Sequence, residues 1–154
     1  MLIRYQNKDH QMYRKLRLTG RSTAAKPQAI VVGLFNTTER LPAGYHDLNQ
    51  QTGGAITAAI KRAECSFDQG SVTCLYPHKS VSRLYILGLG DPNKFDSQTV
   101  RLAGAKLVRD TLDAKINRLE MRLLAGVGKR LAPDVVGRAL AEGMTLAKDR
   151  KSVV

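Results

Sequence analysis

Acidic residues are the scarce class of charged side chain in this sequence of 154 residues. There are 13 Asp and Glu against 25 Lys and Arg, a formal net charge of +12. Such an excess favours polyanionic partners, because cationic side chains displace the counterions of phosphates. We favour a second interpretation, in which the chain is a soluble domain whose acidic partner surface lies on another segment or subunit. Composition alone does not separate the two.

Cysteines are also few, and their spacing matches no common metal site. Cys65 and Cys74 do not form a CxxC pair, and no Cys/His pair has the spacing of zinc ligands. A single disulfide between them is an alternative. We expect reduced thiols in a cytoplasm instead, because the N-terminal region lacks the apolar segment of a secretory signal peptide. Cys74 lies in an apolar run and is expected to be a small core residue.

The common catalytic motifs are missing as well. There is no HExxH and no GxSxG, and His10, His46 and His78 are scattered along the chain. The acids form no evident pair for a two-metal site. No apolar run approaches the roughly 18 residues of a membrane span. The sequence therefore specifies no catalytic residue, no metal ligand and no membrane segment.

The first 26 residues form a basic and poorly patterned stretch with seven Lys or Arg and one acid. Three interpretations stay open: a partly ordered extension in which residues 2–5 and 16–19 add a strand, an organelle address, or an arm that binds polyanions. The candidate polyanion contacts are Arg14, Lys15, Arg17, Arg21 and Lys26. We treat residues 1–28 as an N-terminal extension, 29–149 as the domain and 150–154 as a tail.

A strand, a glycine turn and a helix follow one another in residues 83–110, and the chain is organised around them. The apolar run 84–87 predicts a buried strand, which the glycines and proline of residues 88–92 end. Asp96 or Ser97 is expected to cap the helix that follows. Its buried stripe consists of residues at helical spacing: Val100, Ala103, Leu107 and Thr111.

The glycine turn is the candidate ligand loop, with Gly88, Gly90 and Asp91 as its residues. Gly88-Leu89-Gly90 follows a strand, as in dinucleotide-binding proteins, but Asn93 occupies the third glycine position of that fingerprint. A tight turn between strand and helix is therefore the default interpretation. Gly126-Val127-Gly128-Lys129 resembles the end of a phosphate loop, but no Ser or Thr follows the lysine.

The remaining patterns predict an α/β domain with a mixed, mostly parallel sheet. Strands are predicted at 29–35, 72–76 and 117–124, the last with Arg118, Glu120 and Arg122 on an exposed face. A helix is predicted at 42–64, interrupted at Gly53-Gly54. The link 77–82 is too short for a parallel crossover, so its two strands should pair antiparallel. After a loop at 126–129, Pro133 opens a last helix whose inner face has helical spacing: Val136, Ala139 or Leu140, Gly143 and Ala147.

Several motifs in this order resemble the N-terminal domain of the leucyl (cytosol) aminopeptidase family. They are AIVVGLF at 29–35, GGAI at 53–56, SFDQG at 66–70, RLYILGLGDPNKFD at 83–96, VRLAGAKLVRD at 100–110 and ALAEGMTLA at 139–147. The resemblance covers about residues 29–148. It implies a three-layer, macro-domain-like α/β fold in which helices flank a mixed sheet.

The resemblance also implies a role without chemistry of its own. In that family a C-terminal catalytic domain binds two divalent metals, zinc or manganese, and releases N-terminal residues from peptides. None of its catalytic motifs occurs here, so no catalytic or metal residue is carried over. The resemblance implies an assembly domain that helps to build a hexamer in the cytoplasm. The alternative is a polyanion-binding module for DNA or an ADP-ribose-like ligand.

Overall fold

The structure, a computed structural model, describes residues 2–7, 14–19, 27–62, 65–77, 81–114, 116 and 118–151. Its strands are β1 (Leu2–Asn7), β2 (Arg14–Thr19), β3 (Ala29–Phe35), β4 (Val72–Leu75), β5 (Leu84–Gly90) and β6 (Arg118–Arg122). Its α-helices are α1 (His46–Gln51), α2 (Ala55–Lys61), α3 (Ser97–Asp113), α4 (Leu124–Val127) and α5 (Pro133–Lys151). Turns of 3₁₀ helix at Ala43–Tyr45 and Pro92–Lys94 precede α1 and α3.

The described strands form one sheet in the order β2-β1-β6-β3-β5-β4. The central strands β6, β3 and β5 run parallel, and β4 pairs antiparallel with β5. Two of the three pairings among β6, β3, β5 and β4 are thus parallel, as the predicted mixed sheet requires. The expected β4–β5 hairpin is also confirmed, with Val72 opposite Leu87 and Leu75 opposite Leu84.

Helices cover both faces of the sheet, so the predicted three-layer α/β fold is confirmed. Side chains of alternate β3 residues pack on α1 and α2 on one face and on α3 and α5 on the other. All seven residues of β3, and all seven of β5, are buried. This explains their nearly continuous apolar sequences, because a strand covered on both faces has no solvent side. Each fully buried Leu or Ile there contributes about 1.5–3 kcal/mol.

The helix α3 follows its prediction closely. Asp96 caps it, since Asp96 Oδ1 accepts a hydrogen bond from the Thr99 amide at 3.0 Å. All four residues of the predicted stripe are buried, at 4% exposure or less: Val100, Ala103, Leu107 and Thr111. The helix α5 begins at Pro133 as expected and buries its predicted inner face against α3. The crossing is close at Gly143, where an added β-carbon would overlap the Arg101 carbonyl oxygen.

The predicted helix at 42–64 is instead two short helices, α1 and α2. Gly53 and Gly54 have φ angles of 70° and 82°, in the left-handed region that only glycine adopts freely, so a continuous helix ends there. Asn49 fixes the corner, because its Oδ1 accepts hydrogen bonds from the amides of Ile56 and Thr57 at 3.1 Å each. The predicted interruption is confirmed, and residue 64 lies outside the described residues.

The prediction of a half-exposed strand at 117–124 was wrong in two respects. Glu120 is 2% exposed, and its Oε1 lies 2.6 Å from Arg122 Nη2. The two arginines that alternate with it, Arg118 and Arg122, are half-buried, so only part of this face is open to solvent. The chain also turns into α4 directly after β6, where a loop around Gly126 had been predicted.

The N-terminal strands belong to the same sheet. β1 lies between β2 and β6, with Ile3 opposite Met121 and Tyr5 opposite Leu119. Of the three interpretations of the first 26 residues, an extension that adds strand structure is the one these pairings match. The organelle address, the polyanion arm and the domain limits at residues 28 and 149 stay predictions.

Candidate functional site

The predicted ligand loop lies at the carboxyl end of β5, and its glycines contact the protein itself. A β-carbon on Gly88 would overlap the Asp68 carbonyl oxygen and Ser71 Oγ. The Gly88 amide donates to the Ser71 carbonyl at 2.9 Å, and the Gly90 amide donates to the Phe67 carbonyl at 3.0 Å. These glycines therefore admit the neighbouring 67–71 loop to the backbone of β5.

Asp91 also has an internal partner. Its Oδ1 accepts a hydrogen bond from the Asn93 amide at 2.9 Å and so caps the 3₁₀ turn before α3. Next to this turn the Phe35 and Phe95 rings meet edge to face at 5.1 Å, and the Arg130 guanidinium lies 4.9 Å from the centre of the Phe35 ring. The residues of the candidate loop are brought together as predicted, but their amides and carboxylate hold turns; ligand binding there stays a prediction.

Tyr45 is a polar centre that the sequence did not single out. Its hydroxyl accepts hydrogen bonds from the amides of Gly33 and Gly126, each at 3.1 Å, and donates to the Gly33 carbonyl at 3.2 Å. The pairing of β3 with β6 ends at Val32, and the Tyr45 hydroxyl forms hydrogen bonds with the amide and carbonyl of the next residue of β3, Gly33. Burial raises the pKa of Tyr45 to about 12.

Tyr45 is therefore a structural lock between three segments and not an acid or base. Its side chain is 1% exposed, and its hydroxyl is fully engaged by the backbone. The sequence contains no local sign of the partners of Tyr45. Gly126 is 81 residues away along the chain, and such a contact has no signature in spacing.

The predicted polyanion contacts are only partly within the described residues. Arg14, Lys15 and Arg17 lie on β2, which is an edge strand of the sheet. Arg21 and Lys26 lie outside the described residues. The structure therefore gives no geometry for a polyanion site.

The cysteines and acids are dispersed in the described part of the chain. Cys65 and Cys74 are both free and half-buried, and Cys74 packs against the core as expected. No group of three or more His, Cys, Asp or Glu that could hold a metal ion occurs among the described residues. A search of those same residues finds no helix that is long and apolar enough to cross a membrane.

A surface groove runs along the outer side of α3 and α5, with a volume of about 780 Å³. Among the described residues it is lined by Arg101 of α3 and by α5 residues at helical spacing: Arg138, Ala141, Glu142, Thr145 and Leu146. Leu146 is 57% exposed and Leu102, on α3, is 46% exposed. Of these two exposed leucines, Leu146 belongs to the lining of the groove.

The charges of the groove are balanced in sign. Arg101 Nε lies 2.7 Å from Glu142 Oε2 and joins the two helices, while Arg101 Nη1 also donates to Gln98 Oε1 at 2.8 Å. Asp134 and Arg138 are exposed, and neither forms a hydrogen bond or ion pair within the described residues. The groove thus combines an apolar strip with one internal ion pair and two charges available to a partner.

Comparison with known proteins identifies the fold. The model of the cytosol aminopeptidase family, N-terminal domain, matches residues 31–152. A probable cytosol aminopeptidase of Alkaliphilus oremlandii is 28% identical over 121 residues, which are 77% of this chain and 24% of that protein. A second, of Gloeothece citriformis, is 28% identical over 122 residues, 78% of this chain and 24% of its own length.

The solved structures agree with this match. A tomato leucine aminopeptidase mutant superposes with a TM-score of 0.65 at 16% sequence identity, covering 81% of this chain and 26% of that one. Identity this low supports the fold alone. The chain spans about a quarter of the length of the curated relatives it matches.

Proposed function

Because the chain belongs to the cytosol aminopeptidase family as its N-terminal domain, we propose that it is the non-catalytic assembly domain of a leucyl aminopeptidase. Such an enzyme is a metal-dependent exopeptidase that releases N-terminal residues from peptides. The observation that carries the proposal is the extent of the match. It takes in nearly all of the layered body from β3 to α5, while three-quarters of each relative lies outside the aligned part.

The positions of the acids support a structural role for this domain. Asp91 and Asp96 cap helical turns, and Asp68 accepts a hydrogen bond from the Asn36 side chain at 3.3 Å. Glu120 and Glu142 pair with arginines on the same chain. These carboxylates are separate from one another and do not fit a two-metal site. We therefore assign zinc or manganese to the catalytic domain of the parent enzyme.

The first experiment is an assay of the pure 154-residue chain with leucine p-nitroanilide and added manganese. We expect no hydrolysis above the rate of buffer with manganese, because residues 31–152 match only the N-terminal domain. A full-length cytosol aminopeptidase run beside it serves as the positive control. Turnover that follows the 154-residue chain through purification would overturn the non-catalytic assignment.

The second experiment tests the assembly role by exchange. In the Alkaliphilus oremlandii relative, the N-terminal segment up to the end of the aligned part is replaced by residues 2–151 of this chain, which include β1 and β2, and a matched variant lacks the segment altogether. We expect the exchanged protein to keep the oligomeric state and leucyl hydrolysis of its parent, and the deleted protein to lose the assembly. Equal assembly with and without the segment would remove the proposal.

We place this domain in a cytoplasmic homo-oligomer, a hexamer by analogy with the family, in contact with the catalytic domain. DNA binding is the second candidate, and it rests on the net charge of +12 and on the three cations of β2. A titration of duplex DNA at two salt concentrations tests it. If the protein contacts several phosphates, raising the salt concentration from 50 to 200 mM should weaken binding by a factor on the order of 10³. A weak affinity that salt does not change would exclude this candidate.

A further inference from the structure

The outer face of α5 carries a charge pattern that is complementary to itself. Along the groove the charged residues are Asp134, Arg138 and Glu142, with Arg101 beside them on α3. Two cations and two acids give this strip no net charge, although the whole chain carries +12. The strip is therefore a place where a second copy of this basic chain can approach without like-charge repulsion.

The spacing of these residues suits an antiparallel pair of helices. Arg138 and Glu142 are four residues apart and so lie on one side of α5, about 6 Å from each other along the axis. A two-fold axis that passes between them brings Arg138 of one copy opposite Glu142 of the other, and the reverse contact follows by symmetry. Antiparallel helices also oppose the negative end of one macrodipole to the positive end of the other.

The other side chains of the strip allow this close approach. Ala141 lies beside the position of the axis, and its small side chain permits two helices to pack at about 8 Å. Leu146 is exposed at one end of the strip, and in the same arrangement it lies opposite position 134 in the first turn of the facing α5. The α3–α5 layers of two copies then form four packed helices.

We propose that two copies of this chain associate through the outer face of α5 about a two-fold axis between Arg138 and Glu142. This inference rests on the proposed assembly function and names the surface that performs it. The strip from Asp134 to Leu146 is only about 18 Å long, so the interface is small and we expect a dissociation constant on the order of 10–100 µM. In the dimer, Glu142 contacts Arg101 of its own copy and Arg138 of the other copy.

Sedimentation equilibrium of the 154-residue chain, from about 1 to about 300 µM, tests the association. We expect reversible dimers for the wild-type chain and monomers for Ala141→Arg, whose long side chain occupies the axis. Arg138→Glu should weaken association by about tenfold or more, because the introduced carboxylate then faces Glu142 of the other copy. The matched control is Arg109→Glu, an exposed position on α3 with the same change of charge.

Mixing two impaired variants provides the decisive test. Arg138→Glu and Glu142→Arg each place like charges across the axis in their own dimers. In a mixed dimer both contacts join opposite charges, so the mixture should associate more tightly than either variant alone. Circular dichroism of each variant checks that the α3–α5 packing survives loss of the Arg101–Glu142 ion pair.

Three results would overturn the proposal: a wild-type chain that stays monomeric throughout, an Arg138→Glu dimer as stable as the Arg109→Glu dimer, or a mixture that gains nothing. A chain that stays monomeric could instead bind the isolated catalytic domain of a relative. If Ala141→Arg abolishes that binding, the groove is a site for the catalytic domain. A monomeric chain whose residues 2–151 still replace the segment of the relative would refute this interface and leave the assembly function standing. If the chain dimerises as described but cannot replace the segment of the relative, the assembly function is refuted and the interface stands.

Discussion

The turn after β5 and the outer face of α5 use their polar groups in opposite ways. In the turn, the amides of Gly88 and Gly90 and the carboxylate of Asp91 all bond to neighbouring backbone. On α5, Arg138 is exposed and has no partner among the described residues. The turn resembles a ligand site in sequence, yet these groups form hydrogen bonds within the chain. The helix face has no motif, yet it carries Arg138 without a partner among the described residues.

This contrast shows why a glycine pattern alone is a weak guide to function. A glycine is required wherever another group approaches the backbone closely. That group can be a loop of the same chain or the phosphate of a ligand. Only the surroundings tell these cases apart. Substitutions in each region therefore measure how strongly its contacts contribute to stability.

The largest effect is expected for Gly88→Ala. The added β-carbon overlaps the Asp68 carbonyl oxygen, which is backbone and cannot rotate away, so the 67–71 loop must move. We expect a loss of about 4 kcal/mol in the free energy of unfolding, measured by urea titration. Gly54→Ala is the control: an added β-carbon there meets nothing within 4 Å, and only the backbone strain of its φ of 82° remains, about 1 kcal/mol. If Gly88→Ala and Gly54→Ala lower the free energy of unfolding equally, the 67–71 loop is not packed closely against Gly88.

A second prediction compares the two sides of α5. Leu140 is fully buried, and Leu140→Ala should cost about 3 kcal/mol through lost burial and a cavity. Leu146→Ala should change the stability of the monomer by less than about 0.5 kcal/mol, because that side chain is 57% exposed. Thermal unfolding at a dilution where dimers are absent makes the comparison. A large loss for Leu146→Ala in the monomer would argue that the face packs within the chain.

Tyr45→Phe should have an intermediate effect. It keeps the ring but leaves the buried amide and carbonyl of Gly33 without the hydroxyl, which costs about 2 kcal/mol, whereas the Gly126 amide keeps its bond to the Leu123 carbonyl. The variant also tests a pH dependence. Because the pKa of Tyr45 is raised from about 10 in the unfolded chain to about 12 in the folded one, its contribution is complete below pH 10 and is lost as the pH rises toward 12.

Within that window the wild-type chain should lose stability faster than Tyr45→Phe, by about 1.4 kcal/mol per pH unit. Burial also raises the pKa of Tyr85, which is present in both proteins, so the difference between their slopes isolates Tyr45. Parallel pH profiles would contradict the assignment of a buried, bonded hydroxyl.

The smallest effect is expected at the start of α3. Asp96→Ala removes the carboxylate that accepts from the Thr99 amide and should cost about 1 kcal/mol. Asp96→Asn, which keeps an accepting oxygen, should retain most of that stability. Chemical unfolding of the two variants side by side separates loss of the cap from loss of the charge.

Local patterns in the sequence predicted the layered α/β core well. The cap at Asp96, the α3 stripe and the β4–β5 hairpin were each encoded within about fifteen residues, where capping, helical period and loop length act directly. The burial of Glu120 and the bonds of Tyr45 could not be predicted in the same way. The bonds of Tyr45 depend on Gly126, 81 residues away, and the strand that pairs with β6 beside Glu120 is the still more distant β1.

The groove on α5 escaped prediction for a different reason. Residues on the outer side of an amphipathic helix look like ordinary solvated surface, since Arg, Glu and Thr are expected there. The significance of Arg138 and Glu142 appears only when Arg101 of α3 is seen beside them.

The place of β1 in the sheet has a consequence for any shortened form of this protein. Residues 3–6 are hydrogen-bonded neighbours of residues 118–121. The strand β1 therefore covers one edge of β6, a strand that lies more than a hundred residues later in the sequence. Removal of the residues before Gln28, by a protease or by the choice of a later start codon, would leave β6 as an edge strand with unpaired backbone N–H and C=O groups. A truncation meant only to strip away positive charge would therefore produce a protein prone to aggregate.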